Sequence, residues 1–515
     1  MHVLSYTPYG AEGIVVRVEA DIRRGIPGID ISGLAEGAVR EARERVRAAF
    51  RNSGFTFPAD RILINLAPAG VKKDGAALDL PIALAVMSAA GLAPVQQDLM
   101  VLGELELSGR LRPVRGVLAA AAVWLRMGVR DFIVPAGNAG EAAILVRGHF
   151  AGAATLKEAV EALEFRARTG AMPGGAPVPE PPGEGSPPAG DFSEVRGQKG
   201  YKRALEIAAA GGHNLLVFGP PGAGKTMLAR RLPSIMAPLE KEEAVEVTRL
   251  HSLAGQLQAA GGLITRPPFR SPHHSASAEG ILGGGRFVRP GEISLAHFGT
   301  LFLDEAPEFR APVLQSLREP LEDRVITLVR AESALRLPAD FQLVMAANSC
   351  PCGRLGVRDG SRGCLCTPEE IRRYWRKIGG PLLDRIELRV GVSNPGLGEP
   401  GGPGEEPGEL IARRVAGAAA VQRERLKGMG IRRNARLPAD FLENRYPMSE
   451  KAGQALRGAS SKLGFSGRAC HGILRVARTI ADLEGKETVE AVHVLEAVQY
   501  RRQGEDPYDI LIPEG

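Results

Sequence analysis

The chain has 515 residues, 44% hydrophobic and 24% charged, with a formal net charge of +6 and a pI near 9.1. That length exceeds one core and suggests roughly three domains. The composition is that of a soluble globular protein, and the mild basicity permits a nucleic-acid partner without demanding one. No run approaches the stretch of about 20 apolar residues that a membrane span needs. Residues 1–18 lack the basic-then-apolar order of a secretion leader, and five cysteines, an odd number, argue against a disulfide framework. The expected address is the cytoplasm.

Residues 1–168 form the first expected domain. In it Lys73, Asp74 and Gly75 precede an apolar helical stretch, Leu80-Pro81-Ile82-Ala83-Leu84. Residues 169–190 read as a linker, since twelve of the twenty residues from 171 to 190 are Pro or Gly. The ATPase domain is expected over 191–393. Asn214-Leu215-Leu216-Val217-Phe218 reads as a buried strand, and Met227 to Leu232 continue at helical spacing. Between them Gly219, Pro220, Pro221, Gly222, Ala223, Gly224, Lys225 and Thr226 fit G-x-x-x-x-G-K-[ST]. At a strand-to-helix junction, unpaired amides and the helix dipole favour a nucleotide's phosphates. Gly219, Gly222 and Gly224 allow close approach of the backbone. Lys225 reaches the β- and γ-phosphates, and the Thr226 hydroxyl binds magnesium. ATP and Mg2+ are the implied cofactors.

Leu301-Phe302-Leu303 is an apolar strand ending in Asp304 and Glu305. Asp304 is read as part of the magnesium shell, and Glu305 as the group that polarises the attacking water. A second buried strand, Leu343 to Ala347, closes on Asn348, placed to orient that water at the carboxyl edge of a doubly wound sheet. Then Cys350, Cys352, Cys364 and Cys366 make C-x-C, eleven residues, C-x-C. Four thiolates at paired spacing suit structural zinc; free thiols or a redox-labile pair are the alternative. The intervening Arg354, Arg358 and Arg362 suit a nucleic-acid backbone, and Cys470 reads as a lone packing residue. Residues 394–408 are a second Pro/Gly-rich loop. From 409 to 515 apolar residues recur at three and four spacings, which predicts a helical lid.

Gly380-Pro381-Leu382-Leu383-Asp384-Arg385-Ile386, with Asp191-Phe192-Ser193-Glu194-Val195-Arg196-Gly197-Gln198, resembles the magnesium-chelatase-like group of AAA+ ATPases. The resemblance implies an α/β fold: a P-loop domain of parallel sheet and flanking helices, followed by a helical lid. It also implies that Arg385 is an arginine finger aimed at a neighbouring subunit's γ-phosphate, so the active enzyme is a ring, expected to be a hexamer. Arg468 resembles the sensor-2 arginine of the subunit's own site. A planar, always-charged fork suits phosphate in both roles.

Arg270-Ser271-Pro272-His273-His274-Ser275-Ala276-Ser277, Gly283-Gly284-Gly285 and Pro290-Gly291-Glu292-Ile293-Ser294-Leu295-Ala296-His297 closely resemble the ComM/YifB branch. Insertions of this kind tend to line the ring channel in that group. Arg266, Arg270, Arg286 and Arg289 suit phosphate contact there, with an ordinary solvated basic loop as the alternative. The branch pairs its ATPase with an α+β Lon-protease-like (S5-like) N-terminal domain, and residues 103–114 and Lys73-Asp74-Gly75 are similar to that type. Its serine nucleophile and lysine are replaced, on this alignment, by Ala77 and Ala120. The domain is therefore expected to be non-catalytic, serving assembly or nucleic-acid contact.

The resemblance implies an ATP-driven hexameric motor on DNA, acting on single strands or branched junctions. It would be a helicase or branch-migration factor in recombination or natural transformation, with recombination proteins as partners and no membrane. The alternative is an ATPase that remodels a protein, as magnesium-chelatase motor subunits do. A protease is disfavoured by Ala77 and Ala120.

Overall fold

Alternating and continuous apolar runs build the two larger sheets. In the computed structural model the described residues are 2–33, 37–71, 73, 76–95, 98–129, 131–146, 148–174, 190–257, 262–285, 288–330, 333–355, 363–393, 406–444 and 446–502. Of the expected linker 169–190, residues 175–189 lie outside them, and of the expected loop 394–408, residues 394–405. Asp74, Gly75, Arg286, Arg358 and Arg362 lie outside as well, while the helix Leu156–Thr169 takes in the linker's first residue and the helix Gly408–Arg425 the loop's last.

The amino-terminal sheet has seven strands in the order Gly28–Ser32, Arg61–Ala67, Ile14–Arg23, His2–Thr7, Leu99–Val101, Asp131–Pro135 and Phe150–Ala153. It is mixed: the pairs flanking Ile14–Arg23 are antiparallel and the rest parallel. In Arg61–Ala67 the residues Ile62, Ile64 and Leu66 turn inward, the period-two pattern of a half-covered sheet. They meet the helix Asp79–Ala89, buried from Asp79 to Met87. A helix apolar all round belongs inside, and its one charge, Asp79, is met by Arg45 at 2.7 Å.

The second sheet has five strands, ordered Phe269–Arg270, Thr300–Leu303, Gln342–Ala347, Leu215–Phe218 and Leu388–Gly391, all parallel. Its central strands are buried on both faces, which is why they read as unbroken apolar runs. The helix expected after the phosphate loop is split: one runs Lys225–Ala229, and a second, Leu232–Ile235, starts with Pro233 in its first turn. Proline fits the first turn, where no N–H is needed, and cannot continue a helix. The carboxyl-terminal helices Gly408–Arg425, Glu450–Leu463, Gly467–Leu483 and Ala491–Arg502 share one core with the helix Lys199–Gly211 and this sheet, while Ala439–Asn444 packs in a smaller cluster with Leu426, Leu437 and Leu474.

The two halves interlock. Leu253, from the helix Lys241–Ala254 beside the second sheet, lies in a core of amino-terminal residues with Tyr6, Val117 and Trp124. Ala11 lies reciprocally in the core of the second sheet with Leu303 and Leu343. Buried Glu141 accepts from Ser252, from the Leu118 amide at 2.7 Å and from Asn138 at 3.1 Å. No helix among the described residues is long and apolar enough to cross a membrane.

Candidate functional site

The loop Gly219 to Gly224 leaves the carboxyl end of Leu215–Phe218, between the ends of two neighbouring strands. A sheet's carboxyl edge is where open α/β folds bind ligands. Gly222 and Gly224 hold φ of 78° and 79°, and a Cβ on Gly219 would stand 2.2 Å from the Val392 carbonyl. Only glycine suits these places. Gln198 donates to the Ala223 carbonyl at 3.2 Å and the Ser393 carbonyl at 2.7 Å, while Arg231 bonds the Asp191 carbonyl and Glu194. The segment 191–198 is thereby tied against the loop.

Five predicted residues converge here. Lys225, only 8% exposed, donates to the carbonyls of Gly219 at 2.8 Å and Pro220 at 2.7 Å and to Asn348 Oδ1 at 3.1 Å. Burial pushes its pKa down to about 8, against the pull of Asp304 and Glu305. Thr226 Oγ1 donates to Asp304 Oδ2 at 2.9 Å. A hydroxyl and a carboxylate in contact, both hard oxygen donors, are the set that magnesium takes. Glu305 is exposed, and its backbone takes φ 51°, a left-handed conformation uncommon outside glycine and found at functional positions.

Three features escaped the sequence reading. The strand Phe269–Arg270 pairs Phe269 with Thr300, and the same offset carried forward sets His274 beside Glu305; His274 Nδ1 lies 3.8 Å from Glu305 Oε2. The second is the antiparallel hairpin Val325–Arg330 with Ser333–Pro338, inserted between the Glu305 and Asn348 strands, with Val329 largely exposed. The third is Glu322, described next. Arg270, expected to be free for phosphate, is instead committed to Glu292 through two bonds of 2.7 and 2.8 Å. Arg289 is exposed.

Arg385 and Arg468 do not join the loop. Arg385 precedes the strand Leu388–Gly391, whose Leu388 is level with Leu215, and its carbonyl accepts from Asn214 at 2.8 Å. It therefore lies at the amino edge, a four-residue strand of about 13 Å away from the loop. Its guanidinium meets Glu322 Oε1 at 2.7 Å, and Arg468 meets the same oxygen at 2.9 Å. The sequence expectation placed Arg468 on its own subunit's nucleotide; within the chain it pairs with Glu322 beside Arg385 instead. The helix Gly467–Leu483 carries it there, with Gly472 against Glu387.

The sulfurs of Cys350, Cys352, Cys364 and Cys366 lie within 4.8 Å of one another, and none is disulfide-bonded. Cys470 stands apart, near Ser460 at 3.5 Å. In the amino-terminal half, Ala77 lies in the short 3-10 turn Ala76–Leu78 and Ala120 is buried in the helix Val117–Arg126. Neither methyl group supplies a nucleophile or a base.

Family comparisons agree with this architecture. Residues 191–398 match the family described as magnesium chelatase, subunit ChlI; residues 18–138 match subunit ChlI of Mg-chelatase; and 405–501 match the magnesium chelatase subunit ChlI C-terminal family. An uncharacterized protein of Mycobacterium tuberculosis is 40% identical over 498 residues, 96% of this chain and 97% of its own. YifB of Escherichia coli is 39% identical over 503 residues (96% and 95%), and competence protein ComM of Haemophilus influenzae 38% over 507 (97% of each). A shorter likeness, on the amino-terminal side, is to the Lon protease of Chloroflexus aurantiacus, 32% identical over 142 residues, 26% of this chain and 17% of that protein. The chain belongs to the ComM/YifB family of magnesium-chelatase-like AAA+ ATPases with a Lon-protease-like amino-terminal region.

Proposed function

We propose that the chain is an ATP-hydrolysing ring motor acting on DNA, a helicase or branch-migration factor in recombination or natural transformation. The observation that carries the ATPase part is the convergence of Lys225, Thr226, Asp304, Glu305 and Asn348 at one sheet edge. The DNA part is supported by full-length likeness to a competence protein and by the basic balance of the chain.

The loop from Gly219 to Gly224, including Pro220, Pro221 and Ala223, cradles the phosphates with its amides, and Lys225 swings from its carbonyl acceptors to the β- and γ-oxygens. Thr226 and Asp304 would hold magnesium, which would supply charge neutralisation at the phosphates. Glu305 takes the proton-acceptor position beside the attacking water, and Asn348 orients that water. Arg385 and Arg468, on the opposite edge, serve the nucleotide of a neighbouring copy, which makes the ring (a hexamer) the working unit. A structural zinc on Cys350, Cys352, Cys364 and Cys366 completes the cofactor set, and the work is done in the cytoplasm.

The test is ATP hydrolysis with and without single-stranded, duplex and four-way-junction DNA, with Lys225→Ala as blank. Stimulation greatest with junctions, and weakened by salt as phosphate contacts require, is expected. Intact basal turnover with no response to any DNA overturns the DNA reading and favours a protein substrate.

A further inference from the structure

Four thiolates around one ion at about 2.3 Å and tetrahedral angles stand about 3.8 Å from one another. Cys350 lies 3.3 Å from Cys352 and 3.6 Å from Cys364, and Cys352 lies 3.6 Å from Cys364, sulfur to sulfur. A disulfide needs about 2.05 Å, so these spacings suit a shared ion. The backbone is shaped to the same end. Gly353, at φ 74°, returns its amide to the Cys350 carbonyl at 3.0 Å. That turn aims the Leu355 amide at Cys350 Sγ, 3.4 Å away, and the Arg354 amide at Cys352. Amides aimed at sulfur orient and stabilise thiolate ligands. Soft thiolates in a tetrahedron select zinc or iron, and sulfurs this close leave room for a single ion, not a two-iron cluster.

Both arms of the cluster end on the ATP site. On the upstream arm, Cys350 follows Asn348 by two residues, and Asn348 holds Lys225. Gly353 packs on the phosphate loop itself: a Cβ there would stand 3.2 Å from Pro221 Cδ. The downstream arm leads from Cys366 into the helix Pro368–Arg376. Its Trp375 donates to the Ser349 carbonyl at 3.2 Å and meets the ring of Phe218, the last strand residue before the loop, edge-on at 5.6 Å. An ion joining the arms thus fixes Pro221, Phe218 and Asn348 relative to one another.

We infer that one zinc ion on these four cysteines is a strut of the nucleotide site, so that affinity for ATP depends on a metal that does not touch the nucleotide. The inference rests on the zinc reading above. Redox-inert zinc suits a fixed brace.

The full chain is assayed for metal content and for equilibrium binding of a fluorescent ATP analogue, with far-UV circular dichroism recorded on every sample. One zinc per chain is expected, lost in Cys364→Ser/Cys366→Ser and on organomercurial treatment. Nucleotide affinity is expected to fall about tenfold or more in both, to recover when zinc is returned to the treated chain, and to be untouched by Cys470→Ser. A chain that binds neither zinc nor another metal overturns the zinc reading. Zinc present with affinity unchanged within about twofold on its removal overturns the strut and leaves the zinc reading standing. General loss of helical signal on removal overturns the local strut in favour of a whole-fold role.

Discussion

Lys225 is held ready by three acceptors, and each is a group it must leave to meet a phosphate. Lys225→Ala is expected to lower ATP turnover at least about a hundredfold, through lost charge stabilisation. Glu305→Gln keeps the size of the side chain and removes its basicity. It should retain ATP binding, measured with a fluorescent analogue, while turnover falls about a hundredfold or more. His213 sets a separate pH response. It is fully buried, with Nε2 2.8 Å from Thr479 Oγ1, and burial, helped by Arg475 and Arg436, lowers its pKa from the ordinary 6.5 to about 3. Between those values the unfolded chain takes a proton that the folded chain refuses, so stability falls as pH drops through the window. The loss at pH 5 is about 2 kcal/mol. Denaturant melts at pH 7 and 5 should show it, and His213→Gln should flatten the slope. Lys225, Asp304, Glu305 and Asn348 were legible in the sequence because each sits at a fixed place after an apolar run. Glu322 and His274 were not, since a carboxylate on a short helix and a histidine in a polar loop look like solvated surface until the partner strand is in register.

At the level of elements, the buried strands Leu215–Phe218, Thr300–Leu303 and Gln342–Ala347 were readable because burial on both faces leaves no polar interruption. The hairpin Val325–Pro338 was missed. Its first strand, Val325–Arg330, is rich in β-branched residues, but the second, Ser333–Pro338, has none, and Ala331 and Glu332 between them carry no turn chemistry. The split after Ala229 has its sequence signal in Pro233, which sits in the first turn of Leu232–Ile235. The helix Pro368–Arg376 opens on a capping box, with Thr367 accepting from the Glu370 amide at 3.3 Å and Glu370 from the Thr367 amide at 2.8 Å. Thr367→Ala is expected to cost about 1 kcal/mol of stability in denaturant melts. Because Trp375 rides on this helix, its emission should shift in the same variant.

Across the whole molecule, one carboxylate, that of Glu322, holds both Arg385 and Arg468. Mixing tests the assignment. Arg385→Ala chains keep a complete phosphate loop, and Lys225→Ala chains keep a complete arginine edge. A mixture should recover ATP turnover that neither has alone; no recovery would place Arg385 outside the catalytic machinery. Domain composition could be read from motif order, but the way the halves grip each other could not. Leu253 and Ala11 are ordinary apolar residues in sequence, and only the fold shows that each is buried in the other half's core. Such an exchange outlasts the peptide bond. If a protease nicks the chain between 174 and 190, the two fragments should co-elute in gel filtration, because separation would expose to water the apolar contacts of Leu253 with Tyr6, Val117 and Trp124 and of Ala11 with Leu303 and Leu343. The stretch that reads as a tether is then dispensable for cohesion, and its length is free to vary without loosening the molecule.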